Sequence, residues 1–363
     1  MELKDIASQF AIDGTFLEGA PYGSGHINDT YCTWFNTRQG RTRYILQRIN
    51  HFVFKDPVGL MENVSRVTSH IGSKIKDAGG NPLRETLTVI PTKEGKTLFV
   101  TQDGNFYRMY VFIEGARTYD QVENLDQVYQ ASYSFGNFQK QLADMPGGRL
   151  NETIAKFHHT KSRFGVFLEA LKKDVKGRAA SVKSEVNFVL QREADASRIV
   201  DLLAAGKIPE RATHNDTKLN NVMLDDITGK GICVIDLDTL MPGVPMYDFG
   251  DSVRIGTSTA PEDETDLSKV RMDIRMFDKL TNGYLDAARD FLIPLEKENL
   301  AFSGKLLTFE CGIRFLTDYL SGDVYFKIKR ENHNLDRCRT QFKMVSEMER
   351  QMGEMEEIVR KYS

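Results

Sequence analysis

The sequence lacks a strong net charge, because its 48 Lys and Arg residues nearly balance 51 Asp and Glu residues and leave a formal charge of −3. Proteins that bind nucleic acid or anionic membranes concentrate positive charge, so the composition gives no electrostatic support for either partner. No run approaches the ~18 apolar residues that a membrane span needs, and the first residues lack an apolar signal region. We therefore expect a cytoplasmic protein without nucleic-acid or membrane partners.

Cysteine is scarce and scattered, with four residues and no C-x-x-C pair. Thiols in this arrangement indicate neither a zinc site nor a disulfide framework, and we expect buried free thiols. They are Cys32, Cys233, Cys311 and Cys338. With 40% hydrophobic and 27% charged residues, the composition is that of an ordinary globular protein.

What the chain does contain is a polar motif at 213–221, Thr-His-Asn-Asp-Thr-Lys-Leu-Asn-Asn. It places Asp216 five residues before Asn221, the spacing at which kinases carry a catalytic base and a metal-ligating asparagine. The alternative is that both side chains only bond to backbone groups of a loop. We predict Asp216 as a catalytic base.

The residues after this motif predict a β-hairpin, since two short apolar runs flank a turn-forming segment at 225–230. If the turn is centred between positions 228 and 229, Asn221 lies opposite Asp236. An amide oxygen and a carboxylate that converge there would suit Mg²⁺, whose remaining ligands would be water and phosphate oxygens. We therefore predict Asn221 and Asp236 as metal ligands.

A second aspartate motif, Asp248-Phe249-Gly250, spells the D-F-G of protein kinases. No strand pattern comes directly before Asp248, whereas Asp236 follows one. We assign the metal to Asp236 and interpret Asp248 as a structural carboxylate that caps a helix or braces the catalytic loop.

Strand patterns dominate the first part of the chain, and we predict a five-stranded antiparallel sheet with an amphipathic helix at 60–71. This would form a small N-terminal nucleotide-binding lobe at 1–114. Between the first two strands, Gly23 and Gly25 would let the backbone lie close to phosphates, as in the glycine-rich loop of a kinase. An ordinary turn is the alternative.

The third strand carries Gln47 and Arg48 where a kinase has the lysine that binds the α- and β-phosphates. Because side chains alternate along a strand, only one of the two can face a nucleotide. Arg48 is the chemical substitute, or else a solvated residue on the outer face. After the fifth strand, Phe112 and Ile113 predict a hinge whose backbone holds adenine, with an ordinary edge strand and turn as the alternative.

Helical periodicity runs through 125–143, 162–173, 183–205, 267–290 and 304–320. It predicts a large, mostly helical C-terminal catalytic and sugar-binding lobe at 115–363. The fold class is therefore α+β, in the bilobal arrangement of protein kinases. The last helix repeats an apolar stripe from Val345 to Val359, which we expect to pack against its own lobe, with a coiled-coil dimer as the alternative to a monomer. Arg314 shares a helix face with Glu310, either as an ion pair or as a donor to a polar substrate.

These motifs resemble the aminoglycoside phosphotransferase and choline kinase superfamily, and more closely the bacterial N-acetylhexosamine 1-kinases. The similarity extends over nearly the whole chain. It rests on Gly25 to Asn28, Tyr44 to Gln47, Thr213 to Asn221, Ile235 to Thr239, Asp248 to Ser252, Glu310 to Phe315 and Gly322 to Phe326.

The resemblance implies ATP-dependent phosphorylation of N-acetylglucosamine or N-acetylgalactosamine at the anomeric hydroxyl, with Mg²⁺ as cofactor. It also implies that Lys218, Arg314 and Tyr325 lie at the sugar. Neither the preferred sugar nor the choice between ATP and GTP follows from it. Two other functions stay open: a kinase of another small alcohol, such as an aminoglycoside, choline or homoserine, and a non-catalytic nucleotide-binding protein, which the missing lysine suggests.

Overall fold

The computed structural model of the protein describes residues 1–23, 25 and 27–363. Ser24 and His26 of the expected glycine-rich loop, and with them part of the motif from Gly25 to Asn28, lie outside the described residues. The helices are α1 (Leu3–Ala7), α2 (Pro57–Asp77), α3 (Pro82–Glu85), α4 (Leu125–Leu142), α5 (Thr160–Lys173), α6 (Lys183–Leu190), α7 (Glu193–Ala204), α8 (Pro245–Gly256), α9 (Ile274–Ala288), α10 (Pro294–Glu298), α11 (Leu300–Ser321) and α12 (His333–Tyr362). The strands are β1 (Gly14–Pro21), β2 (Asp29–Thr37), β3 (Gly40–Ile49), β4 (Val89–Ile90), β5 (Phe99–Val100), β6 (Phe106–Val111), β7 (Ala116–Arg117), β8 (Arg211–Thr213), β9 (Val222–Asp225), β10 (Gly231–Val234) and β11 (Met241–Gly243).

The chain forms two compact units, and the first consists of Met1–Thr118, Gln141–Ala155 and Asn221–Pro242. Within the described residues its main sheet has six antiparallel strands in the order β1-β2-β3-β6-β4, with β5 also paired to β6. The five predicted strands are all present, and the two-residue β5 is additional. The predicted α+β fold class is confirmed, whereas the division of the chain at residue 114 stays a prediction.

One face of this sheet is covered by the N-terminal segment. There Leu46 and Met109 pack with Ile6 and Phe10. Helix α2 is longer than predicted because Asp56 caps it, its side chain accepting the N–H of Gly59 at 2.9 Å. The predicted apolar positions of α2 are buried.

The second unit, Tyr119–Lys140, Lys156–Asn220 and Gly243–Ser363, is mostly helical. Its helices surround two apolar clusters, one centred on α8, α9 and α12 and one on α5, α11 and α12. The helix predicted over 183–205 is two helices, because the backbone of Arg192 leaves helical geometry between them; the guanidinium of Arg192 pairs with Glu349 at 2.7 Å. The helix predicted from 267 begins only at α9, where Asp273 caps it by accepting the N–H of Arg275 at 2.9 Å.

The apolar stripe of α12 packs inside this unit. Met348, Met355 and Val359 lie in one cluster and Val345 in the other. The expectation that the stripe packs on its own lobe is therefore confirmed. Burial of each such side chain stabilises the folded state by about 1.5–3 kcal/mol.

The helices and the cysteines bear on the expectations about membrane spans and free thiols. Among the described residues, no helix is both long and apolar enough to cross a membrane. The four cysteines, all within the described part of the chain, are free thiols; three are buried, as expected, and Cys311 is partly exposed.

Candidate active site

Asp248 of α8 binds the backbone of the loop that carries Asp216. The Asp248 carboxylate is fully buried and accepts the backbone N–H groups of His214 at 3.0 Å and Asn215 at 2.7 Å. It also accepts the side-chain amide of Gln139 at 2.5 Å. Burial raises the pKa of Asp248, although these donors favour the carboxylate. The interpretation of Asp248 as a structural carboxylate that braces the loop carrying Asp216 is confirmed.

The next turn of α8 fixes the other side of the loop. Asp251 accepts the N–H of Thr217 at 3.0 Å, and the hydroxyl of Ser252 donates to the Thr217 carbonyl at 3.1 Å. Helix α8 can lie this deep because Gly250 has no side chain: a Cβ there would be 2.4 Å from the carbonyl oxygen of Ser303. The motif from Asp248 to Ser252 is therefore a clamp on the loop.

Asp216 itself is partly exposed, and its carboxylate lies 2.9 Å from the ammonium of Lys218. Burial raises the pKa of Asp216, but the charge and hydrogen bond of Lys218, together with smaller contributions from His214 and Arg254, lower it below its ordinary value. Lys218, expected at the sugar, is thus in contact with the predicted base. Asp216 is ionised at neutral pH and can accept a proton.

A buried ion pair that the sequence did not reveal supports the same loop. Nδ1 of His158 lies 2.8 Å from a carboxylate oxygen of Glu310, and Nε2 lies 3.0 Å from the carbonyl oxygen of Asn215. Both partners are acceptors, so both ring nitrogens must carry a proton. Burial lowers the pKa of His158, but Glu310 outweighs it and raises the pKa overall. His158 went unnoticed because its partners are far away along the chain.

Arg314 does not pair with Glu310, whose carboxylate is occupied by His158 and by the hydroxyl of Thr160 at 2.5 Å. In the described part of the chain no carboxylate forms an ion pair with Arg314. Its guanidinium instead lies 5.5 to 5.9 Å from the ring centroids of Phe157, Tyr325 and Phe326. Two of the three residues expected at the sugar, Arg314 and Tyr325, are therefore neighbours.

A second arginine belongs to this group and was missed from the sequence. Arg163 of α5 donates twice to the carbonyl oxygen of Phe157, at 3.0 and 3.2 Å. Burial, and after it the nearby guanidinium of Arg314, lowers the pKa of Arg163. The cluster of Arg163 and Arg314 thus combines two positive charges with aromatic rings.

The predicted hairpin exists in the first unit, but its register differs by one residue from the prediction. Val222 pairs with Val234, and the N–H of Ile235 donates to the carbonyl of Asn221 at 2.9 Å. Asn221 is therefore opposite Ile235 and not opposite Asp236. The turn lies one residue closer to the N-terminus than expected, and a bulge between Gly231 and Cys233 corrects only part of that shift.

Asn221 and Asp236 both lie at the open end of the hairpin, where Asp236 directly follows Ile235, the residue opposite Asn221. Asp236 has a left-handed backbone with φ of 59° and an exposed carboxylate, and Asn221 is buried. An amide and a carboxylate oxygen suit Mg²⁺, which takes its other ligands from water and phosphate. In the described ranges no group of three His, Cys, Asp or Glu side chains could hold a metal alone. An ion here would depend on the nucleotide.

Phe112, one of the two residues expected near adenine, lies between two side chains of the sheet. Its ring is 5.6 Å from the ring of Tyr22 and 3.7 Å from the guanidinium of Arg43. Ile113 beside it is buried. The carbonyl of Gly115, two residues further on, accepts the backbone N–H of Asp226 at 3.0 Å and the guanidinium of Arg84 at 2.9 Å, which restrains this segment.

The predicted glycine-rich loop connects β1 and β2. Gly23 and Gly25 are exposed, and Gly23 has φ of 83°, a conformation that favours glycine. At the end of this loop the side chain of Asn28 bridges two segments: its amide donates to Asp238 at 2.6 Å, and its oxygen accepts the N–H of Asn50 at 2.9 Å.

The side chains of Gln47 and Arg48 lie on opposite faces of β3. Arg48 lies on the same face as Leu46, is exposed and pairs with Asp29 at 2.7 Å, which favours the alternative of a solvated arginine. Gln47 faces the other side, where its amide donates to Thr30 at 2.9 Å and its oxygen accepts from Arg108 at 3.0 Å. Nucleotide binding by Arg48 stays a prediction.

A profile of the APH phosphotransferase enzyme family matches residues 18–280. The chain belongs to this family. Solved structures with the same fold include a microcompartment-associated aminopropanol kinase (TM-score 0.62, 14% identity, 97% of each chain covered). Others are an aminoglycoside phosphotransferase from Alicyclobacillus acidocaldarius (TM-score 0.56, 11% identity, 99% of this chain and 97% of that chain) and an amicoumacin kinase in complex with AMP-PNP and Ca²⁺ (TM-score 0.55, 14% identity, 96% of this chain and 92% of that chain).

At these identities the solved structures show the shared fold. Membership of the phosphotransferase family makes the chain a small-molecule phosphotransferase. Of the candidate site residues, Asp216, Asn221 and Asp236 lie within the matched range, and Arg314 and Tyr325 lie beyond it.

Proposed function

We propose that this phosphotransferase is an ATP-dependent kinase that converts N-acetylglucosamine or N-acetylgalactosamine to the sugar 1-phosphate. The observation that carries the proposal is Asp216, an ionised carboxylate on a loop fixed by Asp248, Asp251 and the His158–Glu310 pair. A kinase of a small alcohol needs such a group to receive the hydroxyl proton. The motif resemblance to N-acetylhexosamine 1-kinases supports the choice of sugar.

In this proposal Asp216 accepts the proton of the anomeric hydroxyl while that oxygen attacks the γ-phosphorus and ADP leaves. The adjacent ammonium of Lys218 keeps Asp216 ionised and ready to accept the proton. Asn221 and Asp236 would hold Mg²⁺, which supplies charge neutralisation to the phosphates when bound. The complex of a similar kinase with AMP-PNP and Ca²⁺ supports a nucleotide with a divalent cation.

The acceptor end of the proposal depends on the cluster of Arg163, Arg314 and Tyr325. Partly buried guanidinium groups require oxygen acceptors, and Arg314 has no carboxylate partner within the described residues. The hydroxyl and acetamido oxygens of an N-acetylhexosamine are such acceptors, and its apolar face can pack against an aromatic ring. Arg314 and Tyr325 are the proposed sugar contacts.

An amino alcohol is the main alternative acceptor, since a similar solved structure is an aminopropanol kinase. Such a substrate carries an ammonium group, which two neighbouring guanidinium groups would repel. Aminoglycosides and choline are cationic as well, so the charge of the cluster counts against them in the same way. Homoserine, which also carries a carboxylate, is the one of these alternatives that the cluster could accommodate.

Phosphorus NMR of reaction mixtures tests the proposal, because the product spectrum reports both the acceptor and the position phosphorylated. Wild-type protein with Mg-ATP is offered the two N-acetylhexosamines, an aminoglycoside, choline, homoserine and aminopropanol. We expect sugar 1-phosphate from the first two and a loss of ~10²–10⁴-fold in kcat for Asp216→Asn. Activity only on the other alcohols, a 6-phosphate product, or an Asp216→Asn variant with wild-type kcat would contradict the proposal.

A further inference from the structure

The β3 strand lacks the lysine of other kinases, but the sheet face on which that lysine would lie does not lack a positive charge. Because Arg48 is exposed on the other face, we take Gln47 as the residue at this position, and its cross-strand partner on β6 is Arg108. Residues paired across antiparallel strands point to the same face. Arg108 therefore lies on the face of Gln47 and not on the face of Arg48. Its side chain is only 2% exposed, which is rare for arginine.

Arg108 forms a buried ion pair with Asp238, whose side chain is 3% exposed. Its guanidinium also donates to Gln47 at 3.0 Å and lies 5.2 Å from the ring centroid of Tyr110. The charge is thus neutralised and held in one place by three side chains. Packing alone does not require this arrangement, because apolar residues of similar volume commonly replace a buried ion pair without loss of stability.

The Asp238 carboxylate connects Arg108 with the end of the glycine-rich loop. It accepts the side-chain amide of Asn28 at 2.6 Å, and the other end of that amide holds the backbone of Asn50. Asp238 also lies in the same short 3₁₀ turn that follows Asp236. One guanidinium therefore supports, through one carboxylate, both the loop and the turn that would contact a nucleotide.

We propose that Arg108 is a positioning residue of the nucleotide site, which fixes Asn28 and hence the end of the glycine-rich loop through Asp238. The lysine of other kinases contacts the phosphates directly, whereas Arg108 would support the site indirectly, through Asp238 and Asn28. The inference rests on the proposed function, since it takes this loop to be the ATP site. It adds a residue that the motifs do not indicate, because in this chain the cation is one strand away from the position of the lysine.

Binding of AMP-PNP in the presence of Mg²⁺, measured by calorimetry without any acceptor, tests this role independently of the sugar. Arg108→Met should raise Kd at least tenfold, and Arg108→Lys should restore part of the loss. The decisive variant combines Arg108→Met with Asp238→Leu. It leaves no unpaired buried charge, so Tm should recover relative to Arg108→Met while Kd stays at least tenfold above wild type.

Two further variants complete the experiment. Asn28→Ala removes the amide on the loop side, at a partly exposed position, and should raise Kd severalfold with an unchanged Tm. Arg41→Met is the control, because Arg41 forms an exposed ion pair with Glu18 on the same sheet and should bind AMP-PNP like wild type. Asn28→Ala decides the question if the Arg108 variants do not fold.

The possible results separate this inference from the proposed function. Wild-type affinity in the folded double variant, or in Asn28→Ala, would overturn the role of Arg108 while leaving the kinase proposal intact. A wild-type protein that binds no AMP-PNP would overturn both. Recovery of Tm together with recovery of Kd would reduce the ion pair to a purely structural element.

Discussion

Lys218 and Asp216 form the contact whose removal gives the most informative prediction. Their charged atoms are 2.9 Å apart, and the two side chains are 34% and 30% exposed. Lys218→Met removes the ammonium and leaves the burial of Asp216 in place. Burial raises the pKa of a carboxyl group, and in the wild type only the positive charges nearby reverse that effect. The variant should therefore have Asp216 with a pKa above that of the wild type.

The size of the change follows from the distance between the charges. Two unit charges 2.9 Å apart in a water-like dielectric attract each other by about 1.4 kcal/mol, which corresponds to about one pKa unit. A lower dielectric would increase this value, and the exposure of both side chains keeps it near the water-like limit. We expect the pKa of Asp216 to rise by about one unit in Lys218→Met.

The assay is the pH dependence of kcat/KM for N-acetylglucosamine at saturating Mg-ATP, because this profile reports the pKa of the base in the enzyme free of sugar. It covers about pH 3 to 8, since the lowered pKa of wild-type Asp216 places the acidic limb below the usual aspartate pKa of about 3.9. The acidic limb should move to higher pH by about one unit in Lys218→Met. A lower kcat/KM at every pH would report a separate contact of Lys218 with the sugar. Lys218→Arg keeps the charge, so its normalised profile should match that of the wild type.

Two outcomes of this pH profile would contradict the expected effect of Lys218 on Asp216. If the normalised profiles of Lys218→Met and wild type coincide, then either Asp216 is not the base or its ion pair with Lys218 does not form in solution. If the limb moves to lower pH, the balance between burial and charge described above has the wrong sign.

Two further predictions concern the loop and the acceptor cluster. Arg314→Ala should lower kcat/KM for the sugar at least tenfold, as expected for one lost charged hydrogen bond of ~1.5–3 kcal/mol, while Tm and KM for ATP stay nearly unchanged. Unchanged sugar kinetics, with Arg350→Ala as a control for an exposed arginine in a helix ion pair, would assign Arg314 a structural role. His158→Gln should cost about 3–5 kcal/mol of unfolding free energy below pH ~6.5, and the difference from wild type should shrink as pH rises through the raised pKa of His158, because the pair with Glu310 exists only while the ring is protonated. Urea unfolding at several pH values measures it, and a constant difference would refute the imidazolium.

Local patterns were sufficient for the elements of the fold. Strand alternation located the sheet, and apolar periodicity located α2, α5 and α11, because both signals lie within a few neighbouring residues. The patterns failed where a single residue changes the geometry. The helix is interrupted at Arg192, whose ion-pair partner lies 157 residues away and cannot be read from the surrounding sequence.

The candidate site shows the same limit at finer scale. Asp216, Asn221 and Asp236 could be predicted as site residues, and Asp248 as a structural carboxylate, because kinase motifs place them in order along the chain. The hairpin register could not, since a bulge at one residue moves every later pair. His158 could not be found either, since its contacts with Glu310 and Asn215 span long stretches of chain that no periodicity connects.

The missing lysine of β3 illustrates why position along the chain is a weaker guide than the face of a sheet. Paired residues on adjacent strands have Cβ atoms only ~4.5–5.5 Å apart. A positive side chain on either strand can therefore lie close to the same point on their shared face. Gln47 and Arg108 are such a pair, and the positive charge is retained on their shared face. A glutamine at the lysine position therefore does not indicate a protein that has lost nucleotide chemistry. The alternation of Gln47 and Arg48 already predicts that only one of them can lie on that face, and the pairing of β3 with β6 identifies which charge accompanies it.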